Sequence, residues 1–371
     1  MSDKKIKSLI ANTFLEVADA LETGQYGKKP VIGIASEGSE HGEETILEAM
    51  HMAEQKGYKA VLIEGENTHC KMEEMLASGE IDGAVTMHYP FPIGVSTVGK
   101  VITPGKGKPM YIATTTGTSD TDRVLAMIKN AIYGVIAAKA DGIANPTVGI
   151  ANIDGARQTE KALLALAENG YPFNFADSLR SDGGLVMRGN DLLAGSPDVM
   201  VMDSLTGNLM MKIFSAYTTG GNYESLGYGY GPGIGEHFDS LVMIISRASG
   251  SPVIAGAIEY ASNLVNNNWK AVRTAEFEKA YSAGLKKILE DAKPAKKTDA
   301  VAEDVKMPTK EIVTAQIPGI EVMDLEDAVV VLWKAGIYAE SGMGCTGPIV
   351  LMSEKNKTKS YDLLKEAGYV G

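Results

Sequence analysis

The sequence predicts an α/β protein in three layers, with a mostly parallel sheet and a small C-terminal α/β appendage. Short apolar runs alternate with helix-period patterns along most of the chain. The stretch Pro30–Ala35, a polar turn, a helix over 43–56 and the run Lys59–Ile63 have the spacing of a β–α–β unit with parallel strands. Several of the runs are apolar throughout, as strands are when helices cover both faces of a sheet.

The elements follow in order. Ile6, Ile10, Phe14, Val17 and Leu21 lie at helical spacing and predict an amphipathic helix over residues 4–21. After the first β–α–β unit, Gly83–Met87, Met110–Ala113, Thr147–Ile150, Val199–Met202 and Ser240–Ile245 read as strands. Helical patterns at 121–139, 156–169, 207–217 and 252–267 lie among them. Near residue 293 the composition turns polar and charged between prolines, KPAKKTDAVAEDVKMP, and cannot bury enough apolar surface to fold alone. The domains are therefore a body over 1–292, a linker over 293–310 and an appendage over 311–371. Strand Ile320–Met323, helix Leu325–Tyr338, strand Ile349–Met352 and helix Tyr361–Tyr369 make up the appendage, whose small core must dock on the body.

Charge and composition narrow the function. Lys and Arg total 35 against 47 Asp and Glu, a net charge of −12, which excludes a broad nucleic-acid footprint. No apolar run approaches the roughly 20 residues of a membrane span. The N-terminus also lacks the apolar stretch of a signal peptide, so a cytoplasmic protein is expected. Two cysteines, Cys70 and Cys345, provide neither a disulfide framework nor a cysteine zinc site. The five histidines, His41, His51, His69, His88 and His237, show no i, i+4 pairing, and no metal is expected.

Three segments carry candidate chemistry. The turn AESGMGCTGP, Ala339–Pro348, surrounds Cys345 with glycines that let backbone N–H groups approach whatever the sulfur attacks. A small buried thiol is the competing reading, and the local residues do not separate the two. The stretch Asp203–Asn208 (DSLTGN) lies between a strand and an apolar helix carrying Lys212, where free N–H groups can hold an oxyanion. Ser246–Ser251 (SRASGS) follows another strand and adds Arg247 for bidentate pairing. Ordinary helix capping by Ser and Thr competes with this reading. The candidate phosphate ligands are Ser204, Thr206, Gly207 and Asn208 with Ser246, Arg247, Ser249 and Ser251. His41 and His237 sit in glycine-rich polar turns as alternative bases, or as surface residues. Gly227–Gly235 (GYGYGPGIG) fits no dinucleotide fingerprint and reads as a mobile loop at an active-site mouth. Gly94–Lys100 misses the P-loop pattern because Val101 stands where Ser or Thr must hold magnesium. Cys70, at a helix start, reads as structural.

Asp82–Val85, NPTVGIANIDG at 145–155 and PDVMVMDSLTGN at 197–208 resemble the phosphate acyltransferases that make acyl phosphate from acyl carrier protein. SRASGS is similar to the Ser-Arg-Gly phosphate loop of phosphotransacetylases, and SEGSEHGEE at 36–44 to their acidic first β–α turn. This resemblance implies the isocitrate/isopropylmalate dehydrogenase-like fold without a dehydrogenase cofactor. With the appendage and its GMGCTGP turn, the whole chain resembles the alpha subunits of component C of glycine, sarcosine and betaine reductase complexes. That family implies a carboxymethyl group arriving on the selenoprotein component A and an acetyl thioester formed on Cys345. Inorganic phosphate, the co-substrate, would then release acetyl phosphate. It implies no organic cofactor, a component C beta subunit as partner and an oligomeric assembly. Two other readings stay open: a free-standing phosphate acyltransferase using thioesters of coenzyme A or acyl carrier protein, and a non-catalytic support subunit.

Overall fold

The structure, a computed structural model, describes residues 29–370 except 66, 182, 294–304, 319, 321–323, 345 and 346, plus scattered positions between 7 and 21. The described positions of that N-terminal stretch are helical and exposed, while Ile6 lies outside them. So do Cys345 and most of the expected linker.

The body opens with β1 (Val31–Ala35), α1 (Gly42–Gln55), β2 (Lys59–Ile63), α2 (Thr68–Ser78) and β3 (Gly83–Thr86). β4 (Val95–Ile102) and β5 (Pro109–Thr118) form a hairpin, followed by α3 (Arg123–Ala140), β6 (Thr147–Ala151) and α4 (Ala156–Glu168). Short strands β7 (Asn174–Phe175) and β8 (Val186–Met187) precede α5 (Gly189–Ala194), β9 (Val199–Val201) and α6 (Ser204–Ala216). β10 (Gly231–Ile234), β11 (Val242–Ile244), α7 (Ser251–Asn266), α8 (Trp269–Ser282) and α9 (Leu285–Ala292) complete it.

These strands make one 11-stranded sheet in the order β2-β1-β3-β11-β10-β4-β5-β9-β6-β7, with β8 beside β6. Both outer halves are parallel, as expected. The centre is not: β11–β10, β10–β4 and β4–β5 are antiparallel. Three reversals leave the two parallel halves running in opposite senses.

Alternation along the strands produces two apolar cores. Ile32, Ile34, Tyr111, Ala113, Val199 and Val201 face one side, where α1, α3, α4, α7 and α8 pack. Ile63, Met110, Ile112, Met200 and Met202 face the other, against Met72 of α2 and Met211 and Phe214 of α6. The second layer is the thinner one, and it leaves strand ends uncovered between α2 and α6.

The glycine-rich stretch 227–235 is not a mobile loop. Its second half is β10, buried in mid-sheet. Gly231 has φ +89°, and a Cβ there would lie 1.7 Å from the Val98 carbonyl oxygen. Its neighbours therefore demand glycine for close strand approach. The P-loop-like stretch is the start of β4, where buried Lys100 pairs with Asp141 at 2.5 Å and lies over the Tyr228 ring at 4.0 Å.

In the appendage β12 (Ala315–Pro318), β13 (Ala339–Gly344) and β14 (Gly347–Met352) form an antiparallel sheet with β14 central. α10 (Leu325–Lys334) and α11 (Lys357–Glu366) cover it. The expected strand over 320–323 falls almost wholly outside the described residues; the paired strand is β12. A bridge from Pro92 to Gly342, with Ile93 packed on the appendage core, docks the β13–β14 hairpin on the body. Among the described residues no helix is long and apolar enough to cross a membrane.

Gly231→Ala is expected to cost about 3 kcal/mol or more, because the added methyl has no room and φ is positive. Gly170→Ala, also at positive φ but with open space around it, should cost about 1 kcal/mol. Urea denaturation midpoints check both.

Candidate active site

A cleft of about 190 Å³ opens where the thin layer ends. Met87, His88, Tyr89 and Phe91, which follow β3, form one wall. Asn208 and Lys212 of α6, Tyr230, and Ser246 just after β11 form the other, and Met343 of the appendage hairpin closes one side.

The polar wall is organised by Glu224, a fully buried carboxylate. It accepts hydrogen bonds from the Tyr230 hydroxyl at 3.0 Å and the Ser249 hydroxyl at 3.0 Å, and pairs with Lys212 Nζ at 2.6 Å. Lys212 Nζ also donates to Ser246 Oγ at 2.7 Å, which ties the two expected oxyanion stretches together through one ammonium. The Ser246 N–H donates to Ser249 Oγ at 3.1 Å and the Ala248 N–H to Ser246 Oγ at 3.1 Å, so the loop is locked from within. Burial, and then the Glu224 charge, pushes the Tyr230 phenol well above its ordinary pKa and keeps it a neutral donor.

The candidate phosphate residues divide. Ser246 and Asn208 line the cleft, and Asn208 is aligned by donating from Nδ2 to the Thr115 carbonyl at 3.1 Å. Arg247 is exposed; its carbonyl accepts from the Glu40 N–H at 3.0 Å, and its guanidinium lies against Gly38 of the first β–α turn. Ser249 is buried beneath the cleft on Glu224. Ser251 turns away and donates to Glu48 at 2.5 Å.

The stretch 203–208 is the first turns of α6 rather than a loop before it. The Asp203 carboxylate accepts from the N–H groups of Leu205 and Thr206 at 3.1 and 3.0 Å and from the Thr206 hydroxyl at 2.8 Å. The donors expected to greet an anion are thus taken by capping. Ser204 is half-buried in the same turn. Gly207 gives its N–H to the Asp203 carbonyl, and a Cβ there would lie 1.7 Å from the Thr114 carbonyl oxygen. It serves the seating of α6 on β5.

Neither candidate base lines the cleft. His41 is exposed with its ring 5.9 Å from that of Tyr223, and His237 is exposed beside Glu236. The histidine in the cleft is His88, which the sequence did not single out. Burial, then the charges of His69 and Arg247, hold its pKa below the ordinary histidine value. The available signal was its place just beyond the carboxyl end of a parallel strand. Cys70, expected as structural, is exposed on α2. Among the described residues no group of three or more acidic, histidine or cysteine side chains is placed to hold a metal ion. Cys345 lies outside the described residues, two positions along the chain from Met343.

Comparison with known proteins fixes the family. The profile of the fatty acid synthesis protein family matches residues 16–351. The chain is 57% identical, over the full length of both, to the glycine/sarcosine/betaine reductase complex component C subunit alpha of Peptoclostridium acidaminophilum. The chain belongs to the fatty acid synthesis protein family, and there to the component C alpha subunits. A Staphylococcus epidermidis phosphate acyltransferase is 27% identical over 181 residues, 43% of this chain and 52% of that one. A Bacillus cereus phosphate acyltransferase is 32% identical over 113 residues, 29% of this chain and 31% of that one. Among solved structures, a Staphylococcus aureus EutD phosphotransacetylase gives a TM-score of 0.39 at 12% identity, covering 68% of this chain and 98% of that chain.

His88 supplies a pH test with a definite sign. Its folded pKa is lowered, so the unfolded chain takes up the proton first. The stability it allows is present above the unfolded value of about 6.5 and is lost as pH falls from there toward the folded pKa. The ring-proton NMR titration of His88 should have its midpoint below about 6.5, and His88→Asn should flatten the fall in stability over that window.

Proposed function

We propose that this chain exchanges an acetyl group between the thiol of Cys345 and inorganic phosphate, as the alpha subunit of a glycine, sarcosine or betaine reductase component C. The observation that carries the reading is Met343. It lies two residues from Cys345 on the docked hairpin and lines the same cleft as Lys212 and Ser246. On this reading the Cys345 thiol reaches the cleft wall that carries Lys212, Ser246 and Asn208.

Phosphate would be held by Lys212, Ser246 and Asn208, with Arg247 nearby. One phosphate oxygen attacks the acetyl carbonyl carbon, a C–O bond forms, the C–S bond breaks and the Cys345 sulfur leaves as thiolate. Sulfur suits both directions, being a strong nucleophile and a stable leaving group. The ammonium of Lys212 offsets charge on the tetrahedral oxyanion, and His88, kept neutral by its surroundings, can take the phosphate proton. The apolar wall of Met87, Phe91 and Met343 and the small volume suit a two-carbon acyl group. The thioester would be filled from the carboxymethyl group on selenoprotein component A, with the component C beta subunit as co-worker.

Purified protein given labelled acetyl phosphate should acquire thioester-linked acetyl, and Cys345→Ala should abolish it. Full activity of Cys345→Ala with coenzyme A or acyl carrier protein thioesters would instead establish a free-standing phosphate acyltransferase. Absence of both label and phosphate binding would leave a support subunit. Lys212→Met should raise the phosphate concentration needed by about ten-fold, roughly 1.4 kcal/mol, in the rate of thioester phosphorolysis.

A further inference from the structure

Phe91 stands between the cleft and a second cavity. Its ring lines the apolar wall of the cleft yet is only 2% exposed, because Tyr89 and Phe238 close around it. The ring centroids of Tyr89 and Phe238 lie 4.9 and 5.5 Å from that of Phe91 and 6.1 Å from each other, all tilted or edge-on. Aromatic pairs in these arrangements attract beyond the area they bury. The Tyr89 hydroxyl donates to Glu73 of α2 at 3.0 Å, which anchors the three rings. β10 makes room for them. Gly233 is not among the glycines at positive φ, but a Cβ there would lie 2.3 Å from the Phe91 ring. Glycine at 233 is therefore a matter of space, and it sets how far the ring withdraws from the cleft.

Phe238 also lines a pocket of about 240 Å³ behind this layer. Ile93, Val95, Phe277, Leu285 and Leu289 give that pocket an apolar lining. Lys129 and Glu236 in its walls are matched: Lys129 Nζ pairs with Asp120 at 2.5 Å, and Glu236 accepts from the Tyr281 hydroxyl. One aromatic layer thus separates a cleft with anion-holding side chains from a space suited to an alkyl chain. An acyl phosphate held through its phosphate by Lys212, Ser246 and Asn208 directs its carbon chain to the opposite wall, where Phe91 lies.

We propose that Phe91, backed by Phe238 and seated on Gly233, is the specificity-determining residue that limits this cleft to the acetyl group. Its ring shuts longer acyl chains out of the apolar pocket behind. The inference rests on the acyl-transfer reading of the cleft and adds the residue that sets chain length.

The test follows transfer from acetyl, propionyl and butyryl phosphate to the full chain by intact-protein mass. In each transfer the Cys345 sulfur forms a C–S bond to the acyl carbon, the C–O bond breaks and phosphate leaves. The unsubstituted protein should favour acetyl over butyryl by about a hundred-fold or more in kcat/KM. Phe91→Ala should move that ratio at least about ten-fold toward butyryl, since each methylene that gains apolar surroundings is worth about four-fold. A purely structural loss would lower both rates and leave their ratio alone. Should Phe91→Ala fail to fold, Phe91→Leu should shift the ratio a few-fold in the same direction. Binding of acetylphosphonate and butyrylphosphonate, which cannot transfer their acyl groups, reads the same ratio without the thiol. A moved binding ratio with no acyl group on the protein keeps Phe91 as the gate and overturns the thioester reading. An unmoved ratio in the folded variants overturns the inference, as does an unsubstituted cleft that takes butyryl as readily as acetyl.

Discussion

One buried carboxylate holds the cleft in shape. Glu224 accepts hydrogen bonds from segments that enter from three directions: Lys212 of α6, Tyr230 ahead of β10 and Ser249 after β11. A carboxylate in such a place is tolerable only with several partners; removing Lys212 leaves its charge without a counterion, and removing either hydroxyl leaves an oxygen short of a donor. The cost of burying it is offset by these contacts, which also fix a helix and two loop segments against one another. Lys212 is in this way held on Ser246 by the fold itself.

The sheet explains why the cleft is where it is. The antiparallel strands β10 and β4 reverse the second half of the sheet relative to the first, so α2 and α6 pack on the same face from opposite halves. The gap between them receives His88 from one half and Asn208 and Lys212 from the other. The appendage adds only its hairpin at that gap, through Pro92 and Gly342. A small three-stranded sheet with its own apolar core thus places Met343 of β13 at the cleft.

Much of this was legible from the residues, and the exceptions have physical causes. Strands such as Lys59–Ile63 and helices such as Ala156–Glu168 are patterned locally and read correctly. β10 was not, because Gly231 and Gly233 resemble a loop until Val98 and Phe91 are seen pressing on them. Asp203 and Thr206 look alike in a phosphate loop and in a capped helix, and only hydrogen-bond geometry separates the two. His88 was passed over because the groups that shape it, His69 and Arg247, come from α2 and the loop after β11. Its neighbour Lys212 is likewise matched with Glu224 by folding, not by spacing.

The seating of α6 has a consequence for how such a chain can change over generations. At Gly207 the helix backbone rests directly on the Thr114 carbonyl, with no side chain between them to be exchanged for another. The 13-residue helix also aims residues at the cleft and at the outside, so hardly a position on it is neutral. Substitutions that drift freely across the solvent-facing turns of α4 would there alter packing or the lining of the cleft. Such a segment should keep its lettering long after the surrounding loops have lost theirs.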